Sequence, residues 1–162
     1  MRTVAVVVHA VAAGAALVLG VGLLVQAGRH RPPAAFRWYY AALVLTTAGL
    51  VAAAALDWSG LPGPRRVAFA ALCVLAGTMV WEADRARRFM GRPGAPMSPA
   101  RSAAFVEAVG FTVIALVDGF AVITALDLGA PGWLVATVGV LVVVLARPAV
   151  AATRTRAQTR AR

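Results

Sequence analysis

Long apolar stretches alternate with short polar segments along the chain, and this pattern predicts five membrane-spanning helices. Each stretch approaches or exceeds the about 20 residues that an α-helix needs to cross a bilayer. The predicted spans are Val4 to Ala27, Trp38 to Leu56, Val67 to Trp81, Ala103 to Leu126 and Pro131 to Ala146. The third and fifth are short, but arginines at their ends can reach the membrane interface. Segments rich in proline and glycine separate the spans, as expected at helix boundaries.

The composition agrees with a membrane protein. Hydrophobic residues make up 61% of the chain and the mean hydropathy is +0.81, whereas soluble domains contain about 45–50% apolar residues. The expected fold class is all-α, a polytopic transmembrane bundle of five spans. Residues 1–152 should form this domain, and residues 153–162 should form a basic cytoplasmic tail, disordered on anionic lipid. The first apolar stretch is about twice the length of a signal-peptide core, so we expect it to remain as a helix.

The distribution of arginines predicts the orientation of the bundle. The net charge of +10 comes from sixteen arginines and no lysine. Thirteen of them fall in the first loop, the third loop and the tail, whereas Arg2, Arg65 and Arg66 fall on the opposite side. The positive-inside rule then places the N-terminus outside and the C-terminus in the cytoplasm. We therefore expect a multi-pass protein of the bacterial inner (cytoplasmic) membrane, whose arginines contact lipid headgroups and not nucleic acid.

Asp118 is the first candidate for chemistry, because it lies near the middle of the fourth predicted span. An ionised aspartate there costs roughly 2.5–3.5 kcal/mol, so its side chain should face protein or a water-filled cavity. Glu107 lies eleven residues earlier, about 20° away around the helix and roughly 16 Å away along it. Small residues follow the same stripe and favour a central position for the fourth helix; they are Ala104, Ala115, Ala121 and Ala125.

His9 is the second candidate, because it shares a stripe with the small residues Ala12, Ala16 and Gly20 of the first span. Such a stripe packs against another helix. The depths of His9 and Asp118 differ by only about 4–5 Å. We therefore predict a hydrogen-bonded pair between them, with Thr46, Thr47 or Thr124 close enough to join. The alternatives are structural: Asp118 protonated and bonded within the bundle, and Glu107 paired with Arg101 or a loop arginine.

Several kinds of site are not expected. A single cysteine, Cys73, excludes an intramolecular disulfide and a multi-cysteine metal site. The sequence contains no HExxH motif, Walker loop or dinucleotide-binding glycine pattern ahead of a helix. We predict no cofactor and no metal, so any catalysis would have to use acids or a histidine. The candidate catalytic residues are Asp118, Glu107 and His9.

Four blocks of the sequence resemble small multi-spanning membrane proteins of high-GC actinobacteria: HAVAAGAALVLGVGLL, FRWYYAALVLTTAGL, MVWEADRARR and VGFTVIALVDGFAVITALDLGAPGWLVA. Some similar-looking families with a histidine on the first helix are suspected haem binders, which would imply His9 as an axial ligand. The second histidine, His30, is 21 residues away, or about 31 Å along a helix. A looser resemblance, to small integral-membrane terpene cyclases, implies Asp118 as proton donor and Glu107 in second place.

Three functions remain open after these observations. The first is a membrane protein that binds an isoprenoid-like or lipid-like substrate, or transforms it by acid catalysis as a cyclase or isomerase would. The second is a non-catalytic accessory subunit of a larger membrane complex. The third is a proton-coupled carrier or a haem-binding membrane protein. The expected partners are membrane lipids, a lipophilic small molecule, and another membrane protein or a second copy of this chain.

Overall fold

The computed structural model describes residues 2–26, 33–90 and 98–160, and in these ranges the chain is helical and contains no β-strand. The helices are α1 (Arg2–Val25), α2 (Pro33–Asp57), α3 (Gly63–Phe89), α4 (Pro99–Asp127) and α5 (Gly132–Arg160), with a 3-10 turn at Trp58–Gly60. All five are long and apolar enough to cross a membrane. The predicted all-α fold class is confirmed, and the five predicted spans correspond to five helices of membrane-spanning length. The loop residues Arg29, His30, Arg31 and Arg92 lie outside the described residues, as does Arg162.

Four helices are longer than their predicted spans, and the differences are largest in α3 and α5. The apolar part of α3 ends at Trp81, but the helix continues to Phe89. Ion pairs one turn apart stabilise this charged extension; they join Glu82 to Arg85, and Asp84 to Arg87 and Arg88. In the same way α5 continues past Ala146 to Arg160. Helix α5 therefore continues through the predicted boundary at residue 152 and ends at Arg160.

Local chemistry explains where α4 begins and ends. The Ser98 hydroxyl oxygen accepts a hydrogen bond from the Arg101 backbone N–H at 3.4 Å, which satisfies one of the free donors at the start of a helix. Pro99 occupies the first turn, where no backbone N–H is needed. Beyond the end of the helix, Gly129 has a φ of 74°, a left-handed conformation that glycine adopts without strain. The result is a tight turn into α5.

Glycines allow the antiparallel neighbours of the bundle to approach closely. A Cβ atom added to Gly20 on α1 would lie 2.7 Å from Val113 on α4 and 3.1 Å from Tyr39 on α2. A Cβ atom added to Gly110 on α4 would lie 2.7 Å from Val150 on α5. Helices α1 to α4 surround a common interior, and α5 packs on the outside of α4. Because α4 contacts α1, α3 and α5, its predicted central position is confirmed.

The interior differs between the two ends of the bundle. At the end where α2 and α4 begin, the side chains of Phe36, Tyr39 and Phe105 are fully buried and their rings pack 5.7–5.8 Å apart. The Thr112 hydroxyl donates to the Val109 carbonyl at 2.8 Å, so its oxygen accepts from the Tyr39 hydroxyl. We call this end the packed half. The other end, where α1 and α3 begin, is the pocket half.

Candidate functional site

A cavity of about 300 Å³ occupies the pocket half, between α1, α2, α3 and α4. Most of the residues around it are apolar, among them Leu50, Phe69, Leu72, Ala76, Leu116 and Ile123. Three polar side chains also border it: those of His9, Thr46 and Asp127. A concave apolar site with few polar groups is the usual form of a binding site for a small molecule. We call this cavity the His9 pocket.

The His9 ring is fixed by a hydrogen bond to the neighbouring helix. Its Nδ1 atom lies 2.8 Å from the backbone carbonyl oxygen of Thr46. A carbonyl oxygen can only accept, so Nδ1 carries the proton, and Nε2 of the neutral ring is an acceptor. Nε2 has no hydrogen-bond partner within residues 2–26, 33–90 and 98–160, and the His9 side chain is half-buried. The Nε2 lone pair is therefore available to a ligand.

The sequence of α2 explains why α1 can come close enough for this bond. A Cβ atom added to Gly49 would lie 2.9 Å from the Cβ atom of His9 and 3.1 Å from its backbone N and Cα atoms. Gly49 lies three residues after Thr46, so both face α1. The Thr46 hydroxyl donates to the Ala42 carbonyl at 2.8 Å. Its side chain is therefore satisfied within α2, and its carbonyl receives the imidazole.

The His9 pocket opens along the seam between α1 and α4. The lining residues that remain exposed come from these two helices: Val6 and Ala10 from α1, and Phe120 and Asp127 from α4. The lining residues of α2 and α3 are all buried or half-buried. In the packed half the same two helices meet closely at Gly20 and Val113. The exposed edge of the pocket therefore lies between α1 and α4.

Asp118 lies at a different place, between α4 and α5. Its Oδ1 atom would be 3.2 Å from a Cβ atom added to Gly139, so the carboxyl group packs against the α5 backbone where no side chain intervenes. Oδ1 is buried and has no hydrogen-bond partner in the described part of the chain. Asp118 does not line the His9 pocket. The predicted hydrogen bond between His9 and Asp118 is wrong, because His9 bonds to Thr46 instead, the first of the three predicted threonine neighbours.

Glu107 lies in the packed half, on the surface. Its side chain is 69% exposed, and its Oε2 atom is 3.9 Å from Nη1 of Arg154 on α5. An ion pair with an arginine was the structural alternative for this residue, although Arg101 or a loop arginine was the expected partner. The structure therefore does not bring the three candidate catalytic residues together. His9 is in the pocket, Asp118 is between α4 and α5, and Glu107 is on the surface.

Sequence reasoning missed the contribution of α3 to the site, and of α2 it anticipated only the threonines. The close contact of Gly49 with His9 has a weak signal in the sequence, a glycine three residues after Thr46 within an apolar span. The side of the pocket formed by α3 has no signal, because Phe69, Leu72 and Ala76 are ordinary residues of a spanning helix. Which apolar face meets which neighbour depends on packing of the whole bundle.

Comparison of the chain with protein-family models, curated proteins and solved structures finds no match. The kind of protein is therefore defined by its fold and its pocket alone. The described residues form a bundle of five helices of membrane-spanning length, with a mostly apolar pocket that His9 lines.

Proposed function

We propose that this protein is a multi-pass membrane protein that binds a small lipophilic molecule, isoprenoid-like or lipid-like, in the His9 pocket. The observation that carries the proposal is the pocket itself, about 300 Å³ of space among mostly apolar side chains. This volume is at the lower end of the range of about 300–1,000 Å³ for ligand sites. Burial of an apolar ligand would contribute roughly 25 cal/mol per Å² of its surface. The polar wall at His9 and Thr46 would orient the ligand.

The exposed lining residues between α1 and α4 support entry from the bilayer. A lipophilic ligand partitions into the membrane, so a pocket that opens between α1 and α4 can take it up without passage through water. The ligand would pass Val6, Ala10 and Phe120, which line the opening. Entry from lipid also explains why the exposed part of the lining is mostly apolar.

The proposed orientation puts the His9 pocket in the outer half of a bacterial inner membrane. Three arginines of the α3 extension, Arg85, Arg87 and Arg88, lie at the opposite end of the bundle from His9. Arg154 lies near Glu107 in the packed half. Positive charge at that end favours a cytoplasmic location for it. The N-terminus would then be outside and the C-terminus in the cytoplasm.

Binding, and not acid catalysis, is the activity that the geometry supports best. A general acid must come within hydrogen-bond reach of the group that it protonates. Asp118 and Glu107 do not line the His9 pocket, and Asp127 borders it from an exposed position. Acid catalysis by Asp118 or Glu107 stays a prediction. It would require the substrate to bind outside the His9 pocket.

Filling the pocket tests the proposed function. Ala76 is buried in the pocket wall on α3, whereas Ala71 is exposed on the same helix. In lipid nanodiscs, Ala76→Phe should reduce binding of a radiolabelled isoprenoid alcohol such as farnesol by at least about tenfold, because the added ring occupies the ligand volume. Ala71→Phe should bind like the unmodified chain. Equal binding by both variants would contradict the proposal.

A proton-coupled carrier is the second candidate, and the buried Oδ1 atom of Asp118 favours it. A buried polar atom without a partner is unusual and calls for an explanation. Asp118→Asn should abolish proton coupling in a carrier and leave farnesol binding at His9 unchanged. Transport that stays fully proton-coupled in Asp118→Asn would exclude a role for this carboxyl group.

A further inference from the structure

We infer that the His9 pocket recognises a hydroxyl group, so that its ligand is a neutral lipophilic alcohol or phenol. The inference rests on the proposed function and extends it to the chemical class of the ligand. It starts from the tautomer of His9. The bond from Nδ1 to the Thr46 carbonyl oxygen leaves Nε2 as an acceptor, and an acceptor is matched by a ligand that donates.

The contact of α1 with α2 fixes the position of the His9 backbone and Cβ atom, from which the ring reaches the Thr46 carbonyl. The backbone of His9 is held against Gly49, where a Cβ atom would approach within 2.9–3.1 Å. In this position Nδ1 lies 2.8 Å from the Thr46 carbonyl oxygen, a normal hydrogen-bond distance.

The remaining polar groups of the pocket do not change this preference. The Thr46 hydroxyl proton is used by the Ala42 carbonyl at 2.8 Å, so Thr46 offers no free donor. Asp127 is exposed at the C-terminal end of α4, away from the buried part of the wall. The buried wall thus presents an acceptor, and within the described residues it presents no free side-chain donor. A ketone or an ether of the same shape would leave Nε2 without a partner.

A matched pair of probes tests the preference. Farnesol and its methyl ether differ only in the hydroxyl proton and one methyl group, and their affinities for the full chain can be measured in nanodiscs by competition. We expect farnesol to bind about tenfold more tightly, the effect of one hydrogen bond. His9→Phe should bind farnesol and its methyl ether with about equal affinity.

The outcomes separate the two proposals. Equal binding of both probes by the unmodified chain would leave the proposed function standing and overturn the hydroxyl preference. A preference that His9→Phe retains in full would overturn it as well, because another group would then read the hydroxyl. Binding of neither probe would overturn the proposed function and the inference together.

A spectroscopic measurement tests the tautomer even if His9→Phe fails to fold. In a His30→Gln chain labelled with ¹⁵N-histidine, His9 is the one remaining histidine. The imidazole ¹⁵N shifts in nanodiscs at a pH where the ring is neutral should show a protonated Nδ1 and an unprotonated Nε2. The opposite pattern would overturn the inference.

Discussion

The packed half and the pocket half are built from the same four helices, but they enclose different interiors. In the packed half the large rings of Phe36, Tyr39 and Phe105 fill the space between α2 and α4. In the pocket half much smaller side chains occur at interior positions, among them Ala13, Ala76 and Ala115, and a cavity remains. The three rings therefore fill the interior of the packed half, whereas the side chains of the pocket half leave a cavity between the helices.

The polar contacts differ in the same way. In the packed half the hydroxyl groups of Tyr39 and Thr112 bond to one another, and Thr112 bonds to its own helix. In the pocket half one ring nitrogen of His9 is bonded and the other is free. Paired hydroxyl groups are typical of a structural core, whereas a free acceptor beside a cavity is typical of a binding site. The packed half has one exception among the described residues, the buried Oγ atom of Ser102, which has no hydrogen-bond partner. The free energy of unfolding should therefore depend mainly on the packed half, and ligand recognition should depend on the pocket half.

The largest expected effect contrasts two phenylalanines of α4. Phe105 is 0% exposed in the packed half, whereas Phe120 is 41% exposed at the mouth of the pocket. Phe105→Ala leaves a cavity and should lower the free energy of unfolding by about 3–5 kcal/mol. Phe120→Ala should lower it by less than about 1 kcal/mol. Unfolding of both variants in mixed detergent, followed by circular dichroism, makes the comparison. A larger loss for Phe120→Ala would reverse the roles of the two halves.

A medium effect is expected at the contact of α1 with α2. Gly49→Ala places a methyl group against the His9 backbone, and such overpacking typically costs about 1–3 kcal/mol. The matched control is Gly14→Ala, because a Cβ atom there meets nothing within 4 Å. This control should be neutral or stabilising by up to about 1 kcal/mol, since alanine is the better helix former. The same unfolding measurement applies. Two variants of equal stability would refute the close approach at His9.

The smallest effect is expected at Glu107. Its ion pair with Arg154 is long and exposed, and pairs of this kind contribute little. Glu107→Gln should change the free energy of unfolding by less than about 0.5 kcal/mol and leave farnesol binding unchanged. Equilibrium binding and unfolding of one preparation measure both quantities. A loss of binding in Glu107→Gln would show that the packed half takes part in recognition.

The helices and the centre of the bundle could be predicted from the sequence, because both depend on local patterns. Apolar length identified the five spans, and the small-residue stripe of α4 identified its central place. Hydropathy missed the extensions of α3 and α5. In α3, ion pairs such as Asp84 with Arg88 continue the helix where apolar character ends. Hydropathy averaged over a sequence window does not detect the stabilisation that these ion pairs give to a helix.

The site was predictable only in part. That His9 faces protein follows from its small neighbours, and the structure confirms it. Its partner does not follow, because depth and helical angle are compatible with several neighbouring helices. The close approach at Gly49 turns His9 toward α2, while Asp118 turns toward Gly139 on α5. His9 and Asp118 thus face different neighbouring helices although their predicted depths are similar. The sequence of one span does not determine which neighbour each of its residues faces.

Photolabelling tests the central claim most directly. A farnesol analogue with a diazirine group would be activated on the full chain in nanodiscs, and the labelled residues would be mapped by mass spectrometry. Label should concentrate on pocket residues such as Ala76 and Leu116, and an excess of unlabelled farnesol should compete it away. Label spread over exposed apolar residues such as Val74 and Val144, without competition, would contradict a ligand site at His9.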